Sequence, residues 1–204
     1  MNSRMILSAA IVFLSSSFGA TAPAELNIVE YVLKMPSSIR GLGVSDSLLR
    51  RAFGDVYKSE SRSLDLGAGT NLDVQKDLKN DYQQVVYRLA DPPLVNTYAV
   101  WRSPGISTVW IGITQGAGVQ SVSSSIRFFE TQTGSRWRDK SSIVPFAQVA
   151  ANAKYCHLDV AELAYEIPRF GTTILVVDPA GSDFKLQLEW KNQRYVLKIG
   201  RAHV

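Results

Sequence analysis

Phe184-Lys185-Leu186-Gln187-Leu188-Glu189-Trp190 alternates apolar and polar residues at every step. Successive side chains of a strand point to opposite faces. The segment therefore reads as a strand with Phe184, Leu186, Leu188 and Trp190 buried together and Lys185, Gln187 and Glu189 in water. Asn192-Gln193 links it to Tyr195-Val196-Leu197 as a hairpin, although Asn-Gly is the stronger turn signal. Immediately upstream, Thr172–Val177 carries the strongest strand signal in the chain, and Asp178-Pro179-Ala180-Gly181 is a turn. Short strands joined by tight turns pair antiparallel, and this pattern sets the fold class.

Strand-like runs recur toward the N-terminus. They comprise Val85–Leu89, Thr97–Trp101, Thr108–Ile113, Leu163–Ile167 and the partly alternating Val119–Phe129, with Val122, Ser124, Ile126 and Phe128 on one face. Pro92-Pro93, Ser103-Pro104-Gly105, Gly116-Ala117-Gly118 and Thr133-Gly134-Ser135 punctuate them. Ile143–Ala151, with Pro145 near its start, is the one helical interruption. Ahead of the strands, Leu26–Met35 has apolar residues at helical spacing and ends at Pro36. Ser45 caps a second helix through Phe53, with Gly54 as its stop. Lys58–Ser63 reads as a loop, and Leu72–Tyr82 as a third helix or an irregular segment. The expected fold is α+β: a mainly antiparallel sheet of six to eight short strands with two short N-terminal helices packed on it, in one domain over residues 25–198.

Both ends of the chain carry signals of their own. Arg4, the apolar run Ile6–Phe18 and Ala22-Pro23-Ala24 have the order of a secretory signal peptide over residues 1–24, with Glu25 as the first mature residue. The apolar run is too short and too serine-rich for a spanning helix, so no stable membrane anchor is expected. The last six residues, Ile199-Gly200-Arg201-Ala202-His203-Val204, are what a common sequencing adapter encodes. Residues 199–204 are therefore expected to be a non-native tail. The formal charge of +4 falls to +3 without Arg4 and to +2 without Arg201. That is too little to point to nucleic acid. A single cysteine, Cys156, allows no disulfide within the chain and reads as a small buried hydrophobe.

The sharpest motif is Leu64-Asp65-Leu66-Gly67-Ala68-Gly69-Thr70. It resembles the glycine-rich first motif of Rossmann-like, S-adenosylmethionine-dependent methyltransferases. The resemblance implies a parallel sheet with the cofactor against the Gly67–Gly69 backbone and Asp91 on the ribose hydroxyls. The chain departs from the family at the polar residues before Leu64 and at Asn71, where the last glycine is expected.

Other constellations are sparse. Cys156-His157 in an extended chain would point to opposite faces, so they form no nucleophile–base pair, and no Gly-x-Ser-x-Gly elbow accompanies His157. One cysteine and one histidine do not make the usual zinc set. Asp73, Asp77 and Asp81 repeat at helical spacing, as a cation site or as a solvated helix face beside Lys76 and Lys79. Arg136-Trp137-Arg138, with Arg127 on the preceding strand, is a basic–aromatic cluster of the kind found in binding hot spots.

These features lead to three expectations. The first is an exported, non-catalytic binding protein, periplasmic or secreted, without metal or cofactor. Its partner would be a protein or envelope component, met at Arg127, Arg136, Trp137 and Arg138. The second is a secreted carboxylate-dependent hydrolase with a pair such as Glu130 and Glu166. The third is the methyltransferase.

Overall fold

Helix formation at the N-terminus is set by local capping. In a computed structural model, which describes residues 25–88, 93–102, 108–117 and 122–198, α1 (Ile28–Lys34) starts at Asn27. The Asn27 side chain accepts the Glu30 N–H at 3.1 Å, and the Glu30 carboxylate accepts the Asn27 N–H at 3.0 Å. This reciprocal pair satisfies donors that a helix start leaves free. A single turn, α2 (Ser37–Arg40), ends at Gly41. Gly41 has φ +73°, and a Cβ there would meet the Gln115 side chain. The third helix, α3 (Asp46–Phe53), starts at Ser45, whose hydroxyl accepts the Leu48 N–H, and stops at Gly54.

Seven strands follow in chain order and form one antiparallel meander. They are β1 (Ser61–Gly67), β2 (Thr70–Asp77), β3 (Tyr82–Arg88), β4 (Leu94–Arg102), β5 (Val109–Ala117), β6 (Val122–Thr131) and β7 (Arg138–Asp139). After α4 (Phe146–Tyr155), a second antiparallel sheet contains β8 (Ala164–Glu166), β9 (Ile174–Val177), β10 (Lys185–Lys191) and β11 (Arg194–Lys198), in the order β11-β10-β9-β8.

The central strands of the larger sheet are apolar on both sides. Tyr98, Ile111, Ile113 and Phe129 point into a core with Ile28, Val29 and Val32 of α1 and Leu49 and Phe53 of α3. Trp101, Trp110, Ile126 and Phe128 point the other way, onto Ile174, Val176, Leu186, Leu188 and Tyr195 of the small sheet and Val149 and Ala153 of α4. The molecule thus has three layers: helices, large sheet, small sheet.

The α+β class and the seven-stranded antiparallel sheet agree with the sequence reading, as does the packing of N-terminal helices on the sheet. Several details differ. The extra helical turn α2 and the separate four-stranded sheet were not anticipated. Lys58–Ser63 is not all loop, because β1 begins at Ser61. Leu72–Tyr82 is not a third α-helix or an irregular segment. It is most of β2 followed by a 3-10 turn at Leu78–Asn80. The alternation of Leu72, Val74 and Lys76 with Asp73, Gln75 and Asp77 was present, but charge on both faces concealed it. Cys156 is exposed rather than buried, because α4 ends at Tyr155 and turns outward there. The signal peptide expected over residues 1–24, the tail at 199–204, the Ser103-Pro104-Gly105 turn and Asp91 lie outside the described residues.

Polar pins join the helical layer to the sheet. Lys76 on β2 is 2% exposed, and its ammonium donates to the carbonyls of Phe53 (2.5 Å) and Asp55 (2.7 Å) and to the Glu60 carboxylate (2.9 Å). Free carbonyls at the C-terminus of α3 thus find a cation, which also suits the helix dipole. At the other end, Asn96 and Tyr98 both donate to the Arg40 carbonyl, at 3.0 and 2.8 Å.

Leu188 is fully buried, whereas Gln187 lies on the opposite face of β10. Leu188→Ala is expected to cost about 2–5 kcal/mol, and Gln187→Ala no more than about 0.5 kcal/mol, compared as midpoints of urea melts. Lys76→Met keeps the aliphatic stem but removes the charge and all three donated bonds. It is expected to destabilise by about 2–4 kcal/mol, read as a lower urea midpoint.

Candidate functional site

The β6–β7 connection builds a pocket lined by two of the four sequence-predicted residues, Arg136 and Arg138. It is an open pocket of about 180 Å³ at the end of the hairpin. Arg136 and Arg138 line it, with Glu130, the Gln132 amide and the hydroxyl-bearing residues Thr108, Thr131, Thr133 and Ser135. Every lining side chain is polar. The Thr131 hydroxyl accepts the Gly134 N–H at 3.0 Å, and the Thr133 and Ser135 hydroxyls lie 2.7 Å apart. These local bonds shape the loop without help from a ligand.

The same loop is tied to α1. The Lys34 ammonium donates to the Thr133 carbonyl at 3.4 Å. Gly134 has φ +71°, and a Cβ on it would press on the Lys34 side chain at 2.9 Å. Trp137 is half-buried against the helical core, edge-on to Tyr31 with ring centroids 6.5 Å apart. Its indole N–H donates to the Gly134 carbonyl at 3.1 Å.

The four predicted residues therefore separate. Alternation across β6 and β7 puts Glu130 opposite Arg138 and Phe129 opposite Asp139. Arg138 thus shares a face with Glu130, whereas Trp137 turns to the helical side. Arg127 shares that helical side with Phe129. Its guanidinium lies over the Phe129 ring at 4.6 Å and pairs with Asp139 at 3.6 Å. The Asp139 carboxyl is held below the usual carboxylate range, first by the Ser141 backbone N–H it accepts and then by Arg127. Arg136 and Arg138 are the two predicted residues that share the pocket.

Arg136 and Arg138 are exposed and make no ion pair among the described residues. By contrast, Arg40, Arg62, Arg88, Arg102, Arg127 and Arg169 each meet a carboxylate. Glu130 is paired with Lys140, at 3.6 Å. Two guanidinium groups beside hydroxyls and an amide can hold a carboxylate or phosphate through charge-assisted hydrogen bonds.

The remaining candidates fall elsewhere. Of the carboxylate pair, Glu130 lines the pocket and Glu166 does not; Glu166 is exposed on β8 of the small sheet. Asp73, Asp77 and Asp81 do not share a helix face. Asp73 accepts from Ser63 and Arg88, each at 2.6 Å, Asp77 from Arg169 at 2.7 Å, and Asp81 from Arg102 at 2.7 Å. The Arg169 bond holds the Asp77 carboxyl below its usual range. Pro168-Arg169-Phe170-Gly171 thus carries a strut between the two sheets. Cys156 and His157 are both exposed and follow α4 in a turn, not in the extended chain assumed from sequence; His157 has φ +60°. Among the described residues no three His, Cys, Asp or Glu side chains stand where they could hold a metal ion. No described helix is long and apolar enough to cross a membrane.

The methyltransferase-like string is the turn of an antiparallel hairpin. Gly67, Ala68 and Gly69 all have positive φ and connect β1 to β2, with Gly67 opposite Thr70. No helix follows the glycines, so the strand-to-helix crossing that the resemblance implies does not form here. Comparison with protein-family models, curated proteins and solved structures finds no match to this chain.

Trp137 props the loop against Tyr31, so its truncation is a stability change before it is a binding change. Trp137→Ala is expected to cost about 1–3 kcal/mol, below the loss for a fully buried tryptophan. Arg138→Ala is expected to stay within about 0.5 kcal/mol. Thermal or urea melts of the two variants provide the check.

Proposed function

We propose that this is an exported, non-catalytic binding protein that engages an acidic protein or envelope component at the β6–β7 pocket. One observation carries the reading. Arg136 on the loop tied to α1 and Arg138 on β7 line one pocket, and neither makes an ion pair among the described residues, the pocket's Glu130 being paired with Lys140. Their unpaired guanidinium groups have donors to offer a carboxylate or phosphate, and a loop backbone already tied down loses less freedom when one arrives. The surrounding hydroxyls suit a hydrated, hydrogen-bonding partner better than an apolar one. The signal-like order of Arg4, the apolar run and Ala22-Pro23-Ala24 supports export and an envelope setting.

The test is capture from a cell-envelope extract with the purified protein as bait. A double variant, Arg136→Glu with Arg138→Glu, is expected to lose the captured component while its melting temperature stays near that of the parent. A control with the same charge change at two exposed sites, Arg51→Glu with Lys79→Glu, is expected to retain it. Raising salt toward 1 M, where the screening length drops to about 3 Å, is expected to weaken capture by the parent. Retention of the component by the Arg136/Arg138 variant, or its loss in the control, rules the site out.

A further inference from the structure

Among the described residues the small sheet ends on β11, and no described strand pairs with the outer side of β11. Beside that edge runs a groove of about 380 Å³, with β11 as one wall and Ile143, Pro145 and Gln148 on the other. The β10–β11 turn is the two residues Asn192 and Gln193, both at positive φ (+49° and +62°). A two-residue turn makes Lys191 and Arg194 a hydrogen-bonded pair, and the pairing then alternates along the ladder. Tyr195 opposite Trp190 and Leu197 opposite Leu188 are the non-bonded pairs. Their backbone N–H and C=O groups therefore point away from β10 and into the groove. Pro145, across the gap, has no N–H to offer them.

We propose that this edge is a second binding site, one that takes an extended peptide ending in a free carboxylate and adds it to the small sheet as a fifth, antiparallel strand. The backbone groups of Tyr195 and Leu197 supply the pairing, as in other cases of strand addition to an open edge. Charge sets both the direction and the occupant. Arg194, exposed and without an ion pair among the described residues, stands at the N-terminal end of β11, and the described lining holds no carboxylate. An antiparallel strand brings its C-terminal end to Arg194, so a terminal carboxylate meets the guanidinium. In the register that uses all of β11, a second copy fits less well: two-fold pairing centred on Val196 sets Arg194 against Lys198 of the other copy, and like charges directly opposed destabilise a strand pair. The site is built from residues other than those of the β6–β7 pocket and does not depend on that reading.

The probe is a short fluorescent peptide of alternating valine and threonine with a free C-terminal carboxylate, titrated into the full-length protein and followed by anisotropy. Four controls accompany it: the same peptide amidated at its C-terminus, two peptides N-methylated at every second residue in the two alternating patterns, and the parent peptide with the Arg194→Glu protein. The expected result is saturable binding of the parent peptide with slowed amide exchange at Tyr195 and Leu197. Binding should weaken by about tenfold or more on amidation or on Arg194→Glu, and vanish on N-methylation in one of the two alternating patterns while persisting in the other. Arg136→Glu with Arg138→Glu should leave it unchanged, which separates this site from the first. Absence of binding, equal binding of both N-methylated peptides, or indifference to both amidation and Arg194→Glu overturns the proposal. Sedimentation showing a dimer that the peptide does not dissociate also overturns it, because the edge then belongs to a second copy.

Discussion

The central strands of the larger sheet are apolar on both faces, and the rest of the architecture follows from covering them. Tyr98 and Trp101 on β4, Trp110 and Ile111 on β5, and Phe128 and Phe129 on β6 send large side chains to opposite sides. A sheet with one apolar face needs one cover. This one needs two, and the chain provides them from its two ends: α1 and α3 before the sheet, the four-stranded sheet and α4 after it. Gly112 shows how crowded the face under the second cover is. A Cβ there would come within 2.5 Å of the Trp101 ring and 2.9 Å of Phe128. The absence of a side chain lets these aromatic residues cross over the strand, where Trp101 and Phe128 meet edge to face and both contact Tyr195.

The two covers are held differently. The small sheet is attached through an apolar, aromatic core, with the Asp77–Arg169 pair as a strut at its rim. The helical layer is pinned by polar groups as well as by packing. Short helices bring many unpaired carbonyls to the interface, and these need donors. Lys76 supplies them at the end of α3, and Asn96 and Tyr98 at the end of α2. The arrangement is not fully satisfied, since both amide atoms of Gln83 and one guanidinium nitrogen of Arg40 are buried without a partner among the described residues. Each such group costs about 1–3 kcal/mol. Burial also pushes the Tyr98 hydroxyl well above its usual range, so it stays protonated and remains a donor to the Arg40 carbonyl.

Both proposed binding sites lie where this scaffold has an end. The β6–β7 pocket forms where β7 has shrunk to two residues and the connecting loop leans on α1. The β11 groove forms where the small sheet stops. In each place, a rigid layer holds polar groups that the fold itself does not use. In the first place these are guanidinium groups, and in the second they are backbone donors and acceptors. Loops and edges carried on a rigid core commonly serve binding.

Local pattern alone determined the helix limits at Ser45 and Gly54, the strand β10 with its Leu186 and Leu188 face, and the antiparallel connectivity. Capping, alternation and tight turns act within a few residues, so a single sequence records them. The same reading found Arg136 and Arg138 as neighbours in the chain. Only the tertiary structure decided which face each residue occupies at that site. Trp137 lies between the two arginines in sequence, yet alternation turns it onto Tyr31 while they line the pocket. Strand β2 was concealed because Lys76 and Asp77 bury charge that a local pattern assigns to water, and their partners Phe53, Asp55 and Arg169 are distant in the chain. Cys156 differs for a related reason: burial at the end of α4 depends on what packs there, and among the described residues Cys156 is exposed. The division of the strands into two sheets depends on contacts between residues far apart in sequence, because two-faced strands fix the need for a second cover but not which segment provides it.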